Sequence, residues 1–169
     1  MLATDRAIDN LTFTITQEIH VRSSIAATFA ALLEEMGPSN QGYGGVPMPM
    51  TLEAWPGGRW FRDLGNRNGH FWGHVQAIKR PTLLEINGPL FLSSGVVSNL
   101  QYRLKEVDGG TLISFRHTTL GVIPDDYRPT YFGKPMFIDV IPVGSRTVVL
   151  SAGMGGEATT VLIRFYPMG

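Results

Sequence analysis

The sequence predicts an α+β domain in which one antiparallel sheet of about seven strands carries a single helix after its first strand. Three observations lead to this prediction. Apolar residues alternate with period two near the N-terminus, they then switch to helical spacing, and short alternating segments separated by turn residues follow as far as residue 120. The chain also has 20 Gly and 11 Pro among 169 residues, which favours many turns.

The first strand and the helix are predicted from the change of period. Most alternate positions from Leu11 to Val21 are apolar, which puts the apolar set on one face of a half-buried strand. From Ile25 to Met36 the apolar residues instead form one stripe along a helix of three turns. A serine of the pair Ser23–Ser24 can cap the start of this helix, and Gly37–Pro38 ends it.

The rest of the sheet is predicted as a meander of six strands. They lie at Met50–Trp55, Arg59–Leu64, Phe71–Lys79, Leu83–Gly88, Val97–Glu106 and Thr111–Leu120. Pro56–Gly57 suits the central positions of a type II turn, a loop is expected through Gly65–Asn66 and Asn68–Gly69, and Asp108–Gly110 makes a tight connection.

Charge and composition exclude several classes of function. Lys plus Arg equals Asp plus Glu at 14 each, so the chain lacks the basic field that nucleic-acid binding requires. No apolar run reaches the roughly 20 residues of a membrane span, and the N-terminal residues do not resemble a secretory signal. The absence of cysteine excludes disulfides and thiolate chemistry. We expect a cytoplasmic protein with no cofactor.

The character of the chain changes near Pro129. From there to the end, six Gly and four Pro interrupt 41 residues, and no apolar stripe at helical spacing is present. We therefore divide the chain into a domain at 1–128 and a Gly/Pro-rich, strand-prone tail at 129–169. Short strands are predicted in the tail at Phe137–Ile141, Thr147–Leu150 and Thr159–Tyr166, and at most one helical turn is predicted at Asp125–Arg128.

Residues 10–128 resemble the START-like (SRPBCC) superfamily, in particular the branch related to activators of the heat-shock chaperone ATPase. The order and spacing of several short pieces carry the resemblance: Val21–Arg22, the helix at Ile25–Met36, Gly57–Gly58–Arg59, Gly73–His74–Val75, Arg80–Pro81, Gly110–Thr111, Arg116–His117–Thr118 and Ile123–Arg128. The resemblance implies a helix-grip fold, in which a curved antiparallel sheet wraps a long C-terminal helix around a mostly apolar cavity.

The tail departs from this family pattern, because the expected C-terminal helix is absent from the sequence or disrupted. Three explanations are open: an irregular or strand-rich tail replaces the helix, a partner chain supplies it, or a slip of reading frame has replaced the original ending. An uncovered apolar sheet face would be a large exposed patch. We therefore expect either a homodimer or a tail that folds back as a lid.

Two groups of candidate ligand-binding residues lie on the central strands. Trp60 and Arg62 share one face of their strand, where an aromatic ring beside a guanidinium could hold an acidic or aromatic ligand. His70, Trp72 and His74 are two residues apart, so they are predicted to share a face. No carboxylate alternates with these histidines, which disfavours a metal site; packing around the Trp is the favoured interpretation.

A third group lies on the last two strands. Leu100 and Tyr102 share one face, as do Phe115 and His117. His117 follows apolar residues and could exchange a proton near neutral pH, although a histidine on an apolar face is more often a satisfied core residue. Tyr102 would give a cavity wall one hydrogen-bonding group. Core packing explains the same pattern equally well.

Three functions fit this sequence. The first is the binding of a small hydrophobic molecule, such as a lipid, polyketide or aromatic compound, on the concave face of the sheet. The second is a cyclase or dehydratase in which His117 or His74 transfers a proton. The third, suggested only by the family branch, is an accessory protein of a chaperone ATPase. Recognisable acid–base pairs, a nucleophile elbow and a phosphate loop are all missing from the sequence.

Overall fold

A computed structural model describes residues 11–41, 46–90 and 95–122, and three two-residue strands beyond them. Strand β1 spans Thr12–Val21 and helix α1 spans Ile25–Met36. The remaining strands are β2 (Thr51–Leu52), β3 (Arg59–Gly65), β4 (Asn68–Lys79), β5 (Leu83–Gly88), β6 (Val96–Val107), β7 (Gly110–Gly121), β8 (Ile138–Asp139), β9 (Leu150–Ser151) and β10 (Leu162–Ile163).

The sheet is antiparallel and follows the chain from β2 to β7, after which β1 pairs with β7. The order is β2-β3-β4-β5-β6-β7-β1-β9, while β8 and β10 form a separate two-stranded ladder. Ten consecutive pairs join β1 to β7, from Thr12↔Leu120 to Val21↔Thr111. The prediction of one helix and an open antiparallel sheet of about seven strands, an α+β helix-grip fold, is confirmed by α1 and by strands β1 to β7, to which the two-residue β9 adds an eighth.

Helix α1 begins and ends where its sequence predicts. The hydroxyl of Ser24 caps the helix by accepting a hydrogen bond from the amide of Ala27, and Gly37 follows the last turn. The indole Nε1 of Trp60 donates a buried hydrogen bond of 2.7 Å to the carbonyl oxygen of Met36. This bond attaches the C-terminal end of α1 to the sheet and satisfies one of the helix's last carbonyl groups.

One face of the curved sheet, here called the inner face, packs with α1 into a single hydrophobic core. Phe29, Leu32 and Met36 are the buried residues that α1 contributes to this core. Buried and accessible positions alternate along β5 and β7 and from Ser98 to Leu104 in β6, as one-sided packing requires. The opposite face, here called the outer face, carries the accessible side chains of these strands.

Two turns test the sequence predictions. The turn at Trp55–Gly58 has the positive φ of 84° at Gly57 that a type II turn needs, and Gly58 N bonds to Trp55 O at 2.9 Å. The loop predicted through residues 65–69 is wrong, because β4 already begins at Asn68. Asn66 and Arg67 have φ values of 52° and 62°, so they form a two-residue hairpin turn of the kind in which both central residues are left-handed.

Three strands of the tail lie within the predicted segments or at their ends. Ile138–Asp139 and Leu162–Ile163 pair with each other, and Leu150–Ser151 pairs with the edge of β1. The predicted helical turn at Asp125–Arg128 and the position of the family's C-terminal helix lie outside the described residues. In the part of the chain that the structure describes, no helix is long and apolar enough to cross a membrane.

Candidate functional site

The centre of the inner face is formed by β6 and β7. Leu100 lies directly opposite His117, and Tyr102 lies opposite Phe115, so the four residues form two neighbouring rows on one face. All four are buried, and the rings of Tyr102 and Phe115 are 4.9 Å apart between centroids. The structure therefore brings together the third group of residues selected from the sequence.

The hydroxyl of Tyr102 is the most unusual polar group on this face. The side chain is fully buried at 0% exposure, and its hydroxyl oxygen has no hydrogen-bond partner among the described residues. Burial raises the pKa of Tyr102 well above its ordinary value of 10.0, so the phenol stays neutral. A buried hydroxyl without a partner costs about 1–3 kcal/mol of desolvation, which a bound hydrogen-bonding group would offset.

A second polar feature is a buried chain of three side chains, here called the relay. The Ser98 hydroxyl is 2.8 Å from the Thr119 hydroxyl, which is 2.9 Å from Nε2 of His117. Ser98 and Thr119 are opposite each other on β6 and β7, and both are about 1% exposed. Sequence reasoning missed these two residues, although each lies two positions from a selected residue and therefore on the same face.

The proton positions in the relay depend on the tautomer of His117, because each hydroxyl has one proton to donate and two lone pairs that accept. If Thr119 donates to Nε2 of His117, the imidazole carries its proton on Nδ1, and Ser98 donates to Thr119. If His117 donates from Nε2 to the Thr119 hydroxyl, Nδ1 becomes an acceptor, and either hydroxyl can donate to the other. Burial lowers the pKa of His117 from 6.5 to about 4, so the ring is neutral at pH 7 in either arrangement.

Trp60 on β3 and Trp72 on β4 form an aromatic pair on the inner face, on the side of the sheet away from β7. Their rings meet edge to face, with centroids 4.9 Å apart and planes at 78°, and both are buried. Trp72 is an extra residue in β4, because Trp60 pairs with Gly73 whereas Phe61 pairs with Phe71. This β-bulge turns Trp72 toward Trp60.

The same bulge contradicts the prediction that His70, Trp72 and His74 share a face. Trp72 is buried, whereas His74 is exposed on the outer face, where its ring lies 4.7 Å from that of Phe71. An extra residue shifts the alternation by one, so residues on either side of it no longer share a face. His74 is thus separated from the buried candidates.

Arg62 lies at the margin of the site. It is half-buried and follows Trp60 on the same face of β3, opposite His70 in the hairpin. The prediction that Trp60 and Arg62 share a face, with Arg59 and Phe61 on the other, agrees with the stacking of the Arg59 guanidinium 4.7 Å from the Phe61 ring. Arg59 is in turn held by a salt bridge of 2.6 Å to Glu53 on that outer surface.

Metal binding has no support in the described ranges, which hold no group of three or more His, Asp or Glu side chains arranged to bind an ion. Two surface depressions lined by described residues lie away from the inner face of β6 and β7. One of about 510 Å³ runs between α1 and the β4–β5 turn, lined by Phe29, Leu33 and Arg80 among others. Another of about 430 Å³ lies over polar residues of β1, β6 and β7. The inner face is therefore the part where apolar burial and a few polar groups coincide.

Comparison with known proteins shows likeness of fold rather than of sequence. No family model and no curated protein matches the chain. Among solved structures, an uncharacterized protein from Rhizobium leguminosarum is 16% identical with a TM-score of 0.55, and the alignment covers 72% of this chain and 86% of that one. Ara h 8.0201 is also 16% identical, with a TM-score of 0.51 over 72% of this chain and 91% of its own.

A protein from Chromobacterium violaceum is similar to the same degree, with 12% identity, a TM-score of 0.51 and coverage of 68% and 85% of the two chains. The chain has the START-like, SRPBCC-type fold, so the resemblance is confirmed at the level of the fold. Identities this low establish the fold alone, and folds of this kind host different functions. Function has to be argued from the inner face.

Proposed function

We propose that this protein binds a small hydrophobic molecule, such as a lipid, a polyketide or an aromatic compound, against the inner face of its sheet. The observation that carries the proposal is the buried Tyr102 hydroxyl, which has no hydrogen-bond partner in the part of the chain that the structure describes. Native proteins leave few such groups, and each one calls for an explanation. A ligand oxygen bonded to Tyr102 would supply that explanation.

The surroundings of Tyr102 have the composition of a small-molecule site. Such sites are mostly apolar and contain a few polar groups that orient the ligand. Leu100 and Phe115 supply apolar surface, and the relay that ends at His117 supplies a second polar point in the neighbouring row. Trp60 and Trp72 extend the same face with flat aromatic surface.

The enzymatic alternative is supported less well. Of the two histidines considered as proton-transfer groups, His74 is on the outer face and His117 on the inner face. A general acid or base works best when its pKa is near the working pH. Because burial lowers the pKa of His117 to about 4, the residue is better suited to hydrogen bonding than to proton donation at pH 7. No contact described above favours a role with a chaperone ATPase.

The proposal is tested first on the purified full-length protein. Native mass spectrometry would reveal a molecule that survives purification, and extraction after denaturation would identify it. In parallel, the protein stripped of bound molecules would be titrated with Nile red, a neutral dye whose fluorescence rises in apolar surroundings. We expect saturable binding with one dye per chain.

A matched pair of variants on β7 locates the dye. Phe115→Trp adds volume to the buried inner face, whereas Leu120→Trp adds the same side chain at a position that is 49% exposed. We expect Phe115→Trp to weaken dye binding severalfold and Leu120→Trp to leave it unchanged, with circular dichroism melts to verify folding. Failure of the wild-type protein to bind, or sensitivity to Leu120→Trp alone, would contradict the proposed site.

A further inference from the structure

The electrical neutrality of the inner face limits which ligands it can accept. Among the described residues, the buried polar side chains are Thr28, Asn40, Ser98, Thr111, His117 and Thr119, so no Lys, Arg, Asp or Glu is buried there. Tyr102 and His117, the two titratable groups at the centre, are both neutral at pH 7. An anionic ligand head would lose its hydration without meeting a compensating charge.

Two described arginines border the inner face. Arg80 follows the end of β4, where its guanidinium lies 5.8 Å from the centroid of the Phe29 ring and donates a hydrogen bond of 2.9 Å to the Ala54 carbonyl oxygen, so it is engaged beside α1. Arg62 is too far from Tyr102 to supply that charge. It lies on β3, three strands away from Tyr102 on β6, which amounts to roughly 14 Å at the usual strand spacing. The two residues are also offset along the strands. Trp60 on β3 lies at the same height in the sheet as Ser98 on β6. From this height the chain runs in one direction to Arg62 and in the opposite direction to Tyr102.

We infer that the ligand is uncharged and carries a hydroxyl or carbonyl oxygen that bonds to the Tyr102 hydroxyl. This inference rests on the proposed function and narrows it to one chemical class. A neutral oxygen satisfies Tyr102 with no ionic partner, whichever of the two donates the proton. A carboxylate of the same shape could accept the Tyr102 proton, but its charge would remain buried without a counter-ion. Tyr102 is accordingly the residue that selects the ligand head.

The test compares two ligands that differ only in the head group. 1-Decanol and decanoate have the same chain length, and each is used to displace Nile red from the full-length protein at pH 7.5. We expect 1-decanol to compete at a concentration at least about tenfold lower than decanoate, a factor that corresponds to 1.4 kcal/mol.

Two variants test whether the Tyr102 hydroxyl is the group that binds the head of 1-decanol. Tyr102→Phe removes one hydroxyl and is expected to weaken 1-decanol roughly two- to tenfold, the range of one hydrogen bond, once each competitor's affinity is corrected for the affinity of that variant for Nile red. Thr111→Val is the matched control, because it also removes one buried hydroxyl, but one that already bonds to Ser23 O at 2.8 Å. This control should leave both competitors unchanged.

The outcomes separate this inference from the proposed function. If decanoate binds as tightly as 1-decanol, or if Arg62→Ala weakens decanoate specifically, the ligand class is wrong while the hydrophobic site stands. If 1-decanol binds Tyr102→Phe as tightly as the wild-type protein, Tyr102 is not the selecting group. Absence of Nile red binding and of displacement by both competitors would overturn the proposed function itself.

Discussion

His117 is only 5% exposed, and its Nε2 lies 2.9 Å from the Thr119 hydroxyl, so this single residue links stability to pH. Its pKa is about 4 in the folded protein and near 6.5 when unfolded. Between these values the unfolded chain binds a proton that the folded protein does not, and stability therefore falls as pH decreases from 6.5 toward 4. We expect the free energy of unfolding to drop by about 2 kcal/mol between pH 8 and pH 5 from this residue alone.

Urea denaturation across this pH range measures the effect, with His117→Gln as the test variant. Gln can still hydrogen-bond to Thr119 but does not titrate, so the decrease between pH 8 and pH 5 should flatten. His74→Gln, which replaces an exposed histidine on the outer face, is measured beside it as the control for a His-to-Gln substitution. The salt-bridged Glu53, whose pKa Arg59 lowers to about 2, loses its stabilising effect only below pH 4.5, outside this window. A slope that survives in His117→Gln would refute the assignment.

Removal of the Tyr102 hydroxyl is expected to change the free energy of unfolding in the direction opposite to that for an ordinary hydrogen-bonded buried hydroxyl. Because its hydroxyl is buried without a partner, Tyr102→Phe removes a desolvation penalty and should stabilise the ligand-free protein by about 1 kcal/mol. Thr111→Val should destabilise it by a similar amount, because the Ser23 carbonyl then loses its partner. Urea denaturation of the stripped proteins compares the two. Equal destabilisation by both substitutions would indicate that Tyr102 is satisfied within the chain.

Strands β4 and β5 approach each other closely at two glycines, and the aromatic end of the inner face depends on this contact. A Cβ at Gly88 would lie far inside van der Waals contact with the Gly73 Cα and the Trp72 carbonyl oxygen, and both obstacles are backbone. Gly88→Ala must therefore push the strands apart next to the bulge that turns Trp72 toward Trp60. We expect a loss of more than about 2 kcal/mol in the free energy of unfolding, in the range of overpacked cores.

Gly95→Ala is the control for this prediction at the start of β6. A Cβ there meets nothing within 4 Å, and replacing Gly by Ala reduces the entropy of the unfolded chain. Its free energy of unfolding should stay within about 0.5 kcal/mol of the wild-type value, the usual range for surface substitutions. Equal effects of the two substitutions in urea denaturation would mean that the close approach of β4 and β5 does not constrain the fold.

The elements differ in how far their sequences determine them. The sequence predicts both ends of helix α1 to the residue, because the apolar stripe, the serine cap and the terminating glycine indicate the same bounds. It also predicts both ends of β5, because the turns on either side of that strand are unambiguous. The β-bulge at Trp72 was not predictable, since period-two alternation contains no signal for one extra residue. That single residue puts His74 on the outer face, which is why the prediction of one shared face for His70, Trp72 and His74 is wrong.

On the scale of the whole sheet, the site is assembled from distant parts of the chain. The β6 and β7 rows were predictable, because a tight turn at Asp108–Gly109 joins two long alternating strands. The relay was not, because it needs the register that sets Ser98 opposite Thr119, twenty-one residues later. Local pattern determines which face a residue occupies, whereas register across strands determines which polar groups meet.

The topology also predicts the order in which the sheet forms. The β6–β7 hairpin closes a short turn, whereas β1 must pair with β7 across most of the domain, as in Ile19↔Ile113. Closing a longer loop costs more entropy before any contact forms, so β1 should dock after the hairpin. Ile19 and Ile113 are opposite each other and both buried, which makes Ile→Val at each a matched pair.

Each substitution should cost about 1 kcal/mol in stability, yet the two should act on different rates. We expect Ile113→Val to slow folding, because its contacts are formed in the transition state, and Ile19→Val mainly to accelerate unfolding. Stopped-flow folding and unfolding rates across a range of urea concentrations give both effects. If Ile19→Val slows folding as much as Ile113→Val, β1 already pairs in the transition state, and the inner face is then built from both ends of the domain at once rather than from the β6–β7 hairpin outward.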